Sequence, residues 1–199
     1  MPTGIALRDV REQLFDAAER ILLRDGPGAL TSRAVTTEAG CAKGVLHRHF
    51  ADFDAFLAEL VLDRVGRIRL QAAALLDAAG TGLVTDHLTD ALTELFGSVA
   101  VAIVGLVISR DELRARLRRS GPRGIPVLAE ATEMIAAYLT AERAMGRIAA
   151  DAEVDTLALT LIGTGHLLFA GQEDTPPDAA TVQMVVTTIM ADVLQRRLL

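Results

Sequence analysis

Apolar residues recur along the chain at intervals of three and four positions, which is the spacing of one face of an α-helix. In the first segment these positions are Val10, Leu14, Ala18, Ile21 and Leu22. Gly26, Pro27 and Gly28 follow and end the pattern. No segment alternates with a period of two, as a half-buried strand would. The pattern therefore predicts an all-α fold.

Two short helices are predicted next. Thr31 suits the N-cap of a helix that runs to about Ala39, and Gly40 is placed to stop it. A second short helix is predicted from about Ala42 to His47. Two short helices separated by a turn of three or four residues that contains glycine are typical of a helix-turn-helix.

The remaining pattern predicts longer helices. From Phe53 to about Ala79 the apolar positions keep helical spacing, which gives a helix of roughly 39 Å at 1.5 Å per residue. Further helices are predicted over about 83–97, 98–109, 110–119 and 125–145. Two apolar stripes occupy the end of the chain. The first consists of Leu157, Leu161, Gly165 and Leu168, and the second of Val182, Val185, Val186, Ile189, Val193 and Leu194. A terminal helical hairpin would have to bury both.

Composition narrows the class of protein. Of 199 residues, 51% are hydrophobic but only 4% are aromatic, so the core must consist mainly of aliphatic side chains, as suits helix packing. The single cysteine, Cys41, excludes an intrachain disulfide framework. The longest apolar stretch, 99–108, has ten residues where a bilayer needs about 20, and the N-terminus lacks an apolar signal segment. We therefore expect a cytoplasmic protein with no membrane partner.

Charge is distributed unevenly. The net charge of −6 argues against a protein that coats nucleic acid through its overall charge. From residue 26 to residue 50, however, Arg33, Lys43 and Arg48 face only one acid, Glu38. The helix-turn-helix is thus locally positive, as DNA binding would require.

The stretch from Thr31 to Leu60, TSRAVTTEAGCAKGVLHRHFADFDAFLAEL, resembles the DNA-binding head of tetracycline-repressor (TetR) family regulators. The matching features are the capped short helix, Ala39 and Gly40 at the turn, Lys43 and Gly44 opening the next helix, Leu46 on its buried face, and His49 and Phe50 closing it. The resemblance implies a helix-turn-helix DNA-binding domain over residues 1–52. A helical ligand-binding and dimerisation domain would follow over residues 53–199, linked to the head by the long helix.

The resemblance also implies a function. A homodimer would bind a palindromic, double-stranded DNA operator, most simply as a repressor, and an unknown small-molecule effector would release it. Because half-sites lie about 34–36 Å apart or at multiples of that spacing, a small movement of the long helix could detach one head. Part of the terminal stripes would pair with a second copy across a two-fold axis.

The resemblance assigns DNA contacts residue by residue. Backbone phosphates would be contacted by Thr31, Ser32 and Arg33, and the recognition helix would present Lys43, Gly44, Val45, His47, Arg48 and His49. Family members commonly carry Ser, Thr and Tyr where this chain has Ala42, Val45 and His47, which implies an unusual operator. Val45 could pack against a thymine methyl group.

An effector site should be mostly apolar with a few polar groups. Candidate lining residues are Phe96, Val104, Ile108, Met134, Tyr138, His166 and Phe169. The arginines between 110 and 123 could bind an anion, although a solvated helix with local ion pairs is the commoner arrangement.

Motifs for catalysis are missing from the sequence: it has no Ser/His/acid arrangement, HExxH, CxxC or Walker sequence. We expect neither an enzyme nor a cofactor, and no metal, since Cys41 beside His47 and His49 suits a small buried residue better than a ligand. Two alternatives stay open: a helical small-molecule enzyme with a vestigial head, and a regulator that acts through protein partners. A labelled-DNA binding assay would distinguish both alternatives from the DNA-binding regulator that the resemblance implies.

Overall fold

The computed structural model describes residues 7–120, 124–171 and 175–196, in which every regular element is a helix. The helices are α1 (Leu7–Asp25), α2 (Ser32–Glu38), α3 (Val45–His49), α4 (Phe53–Asp77), α5 (Val84–Phe96), α6 (Ala100–Ser109), α7 (Asp111–Ser120), α8 (Pro126–Ala144), α9 (Val154–Ala170) and α10 (Ala179–Arg196). A short 3-10 turn, Pro27–Ala29, lies between α1 and α2. The described ranges contain no strand, and the predicted all-α fold is confirmed.

The first of two compact units comprises residues 1–63 and 102–123. Its aromatic core is formed by Phe15, Phe50 and Phe56, whose ring centroids are 5.0–5.9 Å apart. These rings come from α1, from the residue after α3 and from α4. The three elements of the head are therefore held together by one small cluster.

α6 and α7 also belong largely to the first unit. The Arg110 guanidinium donates to the Leu30 carbonyl at 2.9 Å, and its Cζ lies 5.5 Å from the centroid of the Phe53 ring. Arg116 donates to the Asp52 carboxylate at 2.8 Å. Two arginines of the basic stretch thus bind loops of the head region rather than forming a uniformly solvated face.

The second unit comprises residues 64–101 and 124–199. α10 packs against both α9 and α5, and α8 packs against α9. The terminal stripes are largely buried within this unit: Leu161 and Val186 have no exposed surface. The large apolar residues that these two helices leave exposed are others, namely Leu159 (65%), Leu167 (73%) and Met184 (62%).

The division of the chain into compact units differs from the predicted division at residues 52 and 53. The prediction separates a DNA-binding function from a ligand-binding function, whereas the compact units are defined by contacts, and α4 contributes residues to both. The functional boundary therefore stays a prediction.

The described helices differ in length and in apolar content. None of these helices has by itself the length and apolar composition needed to cross a bilayer, and only α5 and α6, taken together as a bent pair, meet that criterion.

Candidate nucleic-acid interface and effector groove

A sharp turn joins α2 to α3. Gly40 adopts a φ of 65°, a left-handed conformation that glycine tolerates without strain. The Gly40 N–H donates to the Thr37 carbonyl at 3.1 Å, and the Cys41 N–H donates to the Thr36 carbonyl at 2.9 Å. This pair of bonds satisfies the last carbonyls of α2. The prediction that Gly40 stops the helix is confirmed.

The start of α3 differs from the prediction. α3 begins at Val45 rather than near Ala42, and it ends at His49. The Val45 N–H bonds to the Ala42 carbonyl three residues back, at 2.9 Å, so residues 42–45 form a tight turn rather than a first α-helical turn. Gly44 has helical dihedral angles, which is why the sequence pattern runs smoothly into the helix.

The head core fixes α3. Leu46 has no exposed surface, and Phe50 is 3% exposed in the aromatic cluster. Gln13 of α1 donates to the Ala39 carbonyl at 2.9 Å, which ties α1 to the end of α2. With its buried face anchored in this way, α3 presents its other side chains outward.

The start of α2 is capped as predicted. Thr31 is extended, and its Oγ1 accepts a hydrogen bond from the Ala34 N–H at 3.1 Å. The Thr31 hydroxyl keeps its own proton, which can still be donated to a phosphate oxygen.

The residues predicted to contact DNA lie on the surface of the head. Of the nine, Thr31, Arg33, Lys43, Gly44, His47 and Arg48 are exposed, and Ser32, Val45 and His49 are half-buried. Within the described part of the chain, the charged groups of Arg33, Lys43 and Arg48 have no ion-pair or hydrogen-bond partner. Their positive charge is therefore available to a phosphate backbone.

The one acid in this segment is already neutralised. Glu38 accepts hydrogen bonds from Arg20 at 2.9 Å and from Arg24 at 3.1 Å, both on α1. These two guanidinium groups lower the pKa of Glu38. The carboxylate thus stays ionised but paired, and it does not cancel the charge of the exposed bases.

The predicted effector residues are not brought together at one place. Phe96, His166 and Phe169 form an aromatic cluster, with centroids 6.0 and 5.9 Å from Phe96, and burial lowers the pKa of His166. Val104 and Ile108 belong to the first unit, where Val104 is buried and Ile108 is 53% exposed. Their role as effector contacts stays untested.

A groove in the second unit contains Met134 but none of the other predicted residues. Its volume is about 420 Å³, which lies in the range of small-molecule sites (roughly 300–1,000 Å³). α4, α5 and α8 line it with Leu70, Gln71, Ala74, Leu75, His87, Asp90, Ala91, Glu94 and Met134. We call this the effector groove.

A buried polar network lies behind the groove. His87 Nδ1 is 3.0 Å from the hydroxyl of Tyr138, which has no exposed surface. Burial and a hydrogen bond with Glu142 raise the pKa of Tyr138. Glu142, also fully buried, accepts from the Gly80 N–H at 3.0 Å and from Arg147 Nε at 2.5 Å. The predicted residue Tyr138 therefore reaches the groove only through His87.

Sequence reasoning missed most of the groove. His87, Asp90, Ala91 and Glu94 lie at positions i, i+3, i+4 and i+7 of α5, so they share one helix face. That spacing was readable from the sequence. Their common use as a groove wall was not, because it depends on which helices pack beside α5.

Within residues 7–120, 124–171 and 175–196, no group of three or more His, Cys, Asp or Glu side chains is placed to hold a metal ion. Cys41 is half-buried, and its Sγ lies 3.5 Å from the Ala39 carbonyl oxygen, to which it donates.

Known proteins resemble this chain in the sequence of the head and in the fold. Residues 14–60 match the model of the family described as bacterial regulatory proteins, tetR family. This range contains α2, the turn and α3 together with their aromatic core. No curated protein sequence matches significantly.

Solved structures share the fold over nearly the whole chain. A TetR-family transcriptional regulator from Agrobacterium tumefaciens is 16% identical, with a TM-score of 0.69 over 95% of this chain and 97% of that one. Escherichia coli NemR in its reduced form is 14% identical, with a TM-score of 0.69 over 94% and 96%. Bacillus subtilis FadR, solved with stearoyl-CoA, is 18% identical, with a TM-score of 0.66 over 90% and 97%. Residues 14–60 thus match the head of the tetR family of bacterial regulatory proteins, and the chain shares its fold over nearly its whole length with solved regulators of that family.

Proposed function

We propose that this protein is a ligand-responsive transcriptional regulator that binds a palindromic operator as a homodimer and is released by a small molecule. The observation that carries the proposal is the outward-facing set of unpaired bases, Arg33, Lys43 and Arg48, in a segment (26–50) whose single acid, Glu38, is already paired. Backbone phosphates account for most of the affinity of such a surface. The side chains of α3 supply base contacts in the major groove. Such a protein acts in the cytoplasm, and as a regulator rather than an enzyme.

The homodimer is supported by the exposed apolar residues of the second unit. Leu159, Gly163 and Leu167 are four residues apart on α9, and all three are exposed. Met184 of α10 is exposed as well. An isologous interface would cover these side chains, which water contacts in the isolated chain.

The small-molecule response is assigned to the effector groove. α4 supplies Leu70, Gln71, Ala74 and Leu75 to the groove, and the same helix supplies Phe56 to the aromatic core of the head. A ligand that moves α4 in one place therefore acts on a helix that both sites use. Coupling of 1–3 kcal/mol is typical of such allostery.

Fluorescence anisotropy with labelled DNA from the region flanking the protein's own gene tests the proposal. We expect the wild type to bind this DNA more tightly than an unrelated fragment, with an affinity that falls steeply as salt rises. Lys43→Ala should weaken binding to every sequence and flatten the salt slope. Arg48→Ala should do the same if it contacts a phosphate, or relax one base preference if it contacts a guanine.

Arg118→Ala is the matched control, because Arg118 is an exposed arginine of the first unit outside α2 and α3. It removes the same charge and should leave the affinity within about twofold of the wild type. Equal DNA affinity of Lys43→Ala, Arg48→Ala and Arg118→Ala would contradict the proposed interface.

A further inference from the structure

We propose that the effector groove takes an organic cation with an apolar body. This inference rests on the proposed role of the groove and adds the chemical class of the effector. It is carried by the charges and apolar surfaces that line the groove.

The charged side chains of the groove are all acidic. Asp90 and Glu94 lie one turn apart on α5, and no Lys or Arg is among the described residues that line the groove. Both carboxylates are exposed, so a ligand can reach each of them. An anionic ligand would face these charges without a compensating base.

The two carboxylates differ in their hydrogen-bond partners. Gln71 of α4 donates its Nε2 to Glu94 Oε1 at 2.7 Å, which orients this carboxylate across the groove. Asp90 has no hydrogen bond or ion pair with any described residue. One acid is thus positioned and the other is free to pair with a bound cation.

The neighbouring arginine does not neutralise them. Arg69 precedes the first groove residue of α4, but its guanidinium is bound by both oxygens of Glu130 on α8, at 2.9 and 3.0 Å. Glu133, one turn further along α8, adds another exposed acid. The groups around the groove therefore leave an excess of negative charge.

The apolar part of the groove is supplied by aliphatic residues and one thioether: Leu70, Ala74, Leu75, Ala91 and Met134. Leu70 is 74% exposed, which is a large fraction for a leucine in an isolated chain. The flexible, polarisable Met134 side chain adapts to irregular ligands. A bound molecule with an apolar body would cover these surfaces.

The charge of the whole second unit acts in the same direction. Residues 64–101 and 124–199 contain 14 Asp and Glu against seven Arg, whereas the first unit contains 12 acids against 13 bases. Such a field raises the local concentration of cations and repels anions. The first unit, which would bind DNA, therefore has a nearly balanced charge, whereas the second unit, which would bind a cation, is clearly negative.

Isothermal titration calorimetry with two probes of matched shape tests the inference. Tetraphenylphosphonium and tetraphenylborate have nearly the same size and opposite charge. We expect the full-length dimer to bind tetraphenylphosphonium at least tenfold more tightly than tetraphenylborate. Equal affinities, or tighter binding of the borate, would overturn the proposal.

Variants locate the binding. The double variant Asp90→Asn with Glu94→Gln should weaken tetraphenylphosphonium binding at least tenfold. The double variant Glu153→Gln with Asp155→Asn removes the same charge from exposed positions at the start of α9 and should change it less than twofold. Ala74→Phe, at an exposed position in the groove wall, should block binding without disturbing the fold. Binding that survives Ala74→Phe would place the cation elsewhere and overturn the proposal.

These measurements use no DNA, so they are separable from the proposed function. Cation binding in the groove by a protein that does not bind DNA would support the inference and contradict the regulator. Release of labelled DNA by tetraphenylphosphonium from the wild type, but not from Ala74→Phe, would support both.

Discussion

The buried carboxylate of Glu142 permits a quantitative prediction about stability. Its side chain has no exposed surface, and it accepts hydrogen bonds from the Gly80 N–H and from Arg147 Nε. Arg147 in turn donates to the carbonyls of Thr81 and Gly82, each at 2.7 Å. The turn after α4 is therefore held by one ion pair on α8 and the loop that follows it.

The substitution Glu142→Gln removes the charge while keeping the size of the side chain. Removing one partner of a buried ion pair costs about 3–5 kcal/mol, because the other is left without compensation. Arg147 is 25% exposed, so water can partly solvate it, and we expect the lower end, about 3 kcal/mol. For a chain of this length 1 kcal/mol corresponds to about 2–4 °C, so the melting temperature should fall by about 6–12 °C.

Denaturation by guanidinium chloride, followed by far-UV circular dichroism at one fixed protein concentration, measures the free energy of unfolding. Glu153→Gln is the matched control, because Glu153 is exposed and its side chain makes no capping hydrogen bond. It should lie within about 0.5 kcal/mol of the wild type. A loss below about 1 kcal/mol for Glu142→Gln would refute the reasoning that this ion pair holds the turn.

Three further predictions follow from other parts of the molecule. The double variant Leu159→Glu with Leu167→Glu should sediment as a folded monomer at micromolar concentration. Leu23→Glu, at an exposed position of α1, should remain a dimer. A wild type that sediments as a monomer would contradict the proposed interface. Thr31→Ala should lower the free energy of unfolding by about 1 kcal/mol through loss of the N-cap, and Thr37→Ala by less than about 0.5 kcal/mol. Burial lowers the pKa of His166 below 6.5, so its contribution to stability is present above pH 6.5 and is lost as the pH falls through the pKa of the folded state. The difference in free energy of unfolding between wild type and His166→Asn should therefore shrink as the pH falls. A difference that stays constant with pH would contradict this prediction.

The head was predictable because its signals are local. Thr31 caps α2 and Gly40 ends it with bonds to residues no more than five positions away, so residue types and spacing suffice. The start of α3 was misplaced by three residues for the same reason, since Gly44 has helical dihedral angles although the hydrogen bond at Val45 closes a tighter turn.

The sites of the second unit were less predictable because they depend on which helices meet. The two terminal stripes, which contain Leu161 and Val186, indicated burial correctly, but they could not tell burial inside the subunit from burial against a second copy. α10 packs on α5 as well as on α9, and this packing buries Leu161 and Val186 within the subunit while Leu159 and Leu167 stay exposed. Asp90 and Glu94 were not singled out from the sequence, because they line a groove only where α4 and α8 pack beside α5.

A footprint on DNA tests the central claim most directly. The wild type at micromolar concentration is incubated with DNA flanking its own gene, and cleavage by DNase I is compared with that of the double variant Lys43→Ala with Arg48→Ala. We expect two inverted half-sites, one or two helical turns apart, to be protected by the wild type and not by the variant. No protection by the wild type, or the same protection by both proteins, would contradict the account.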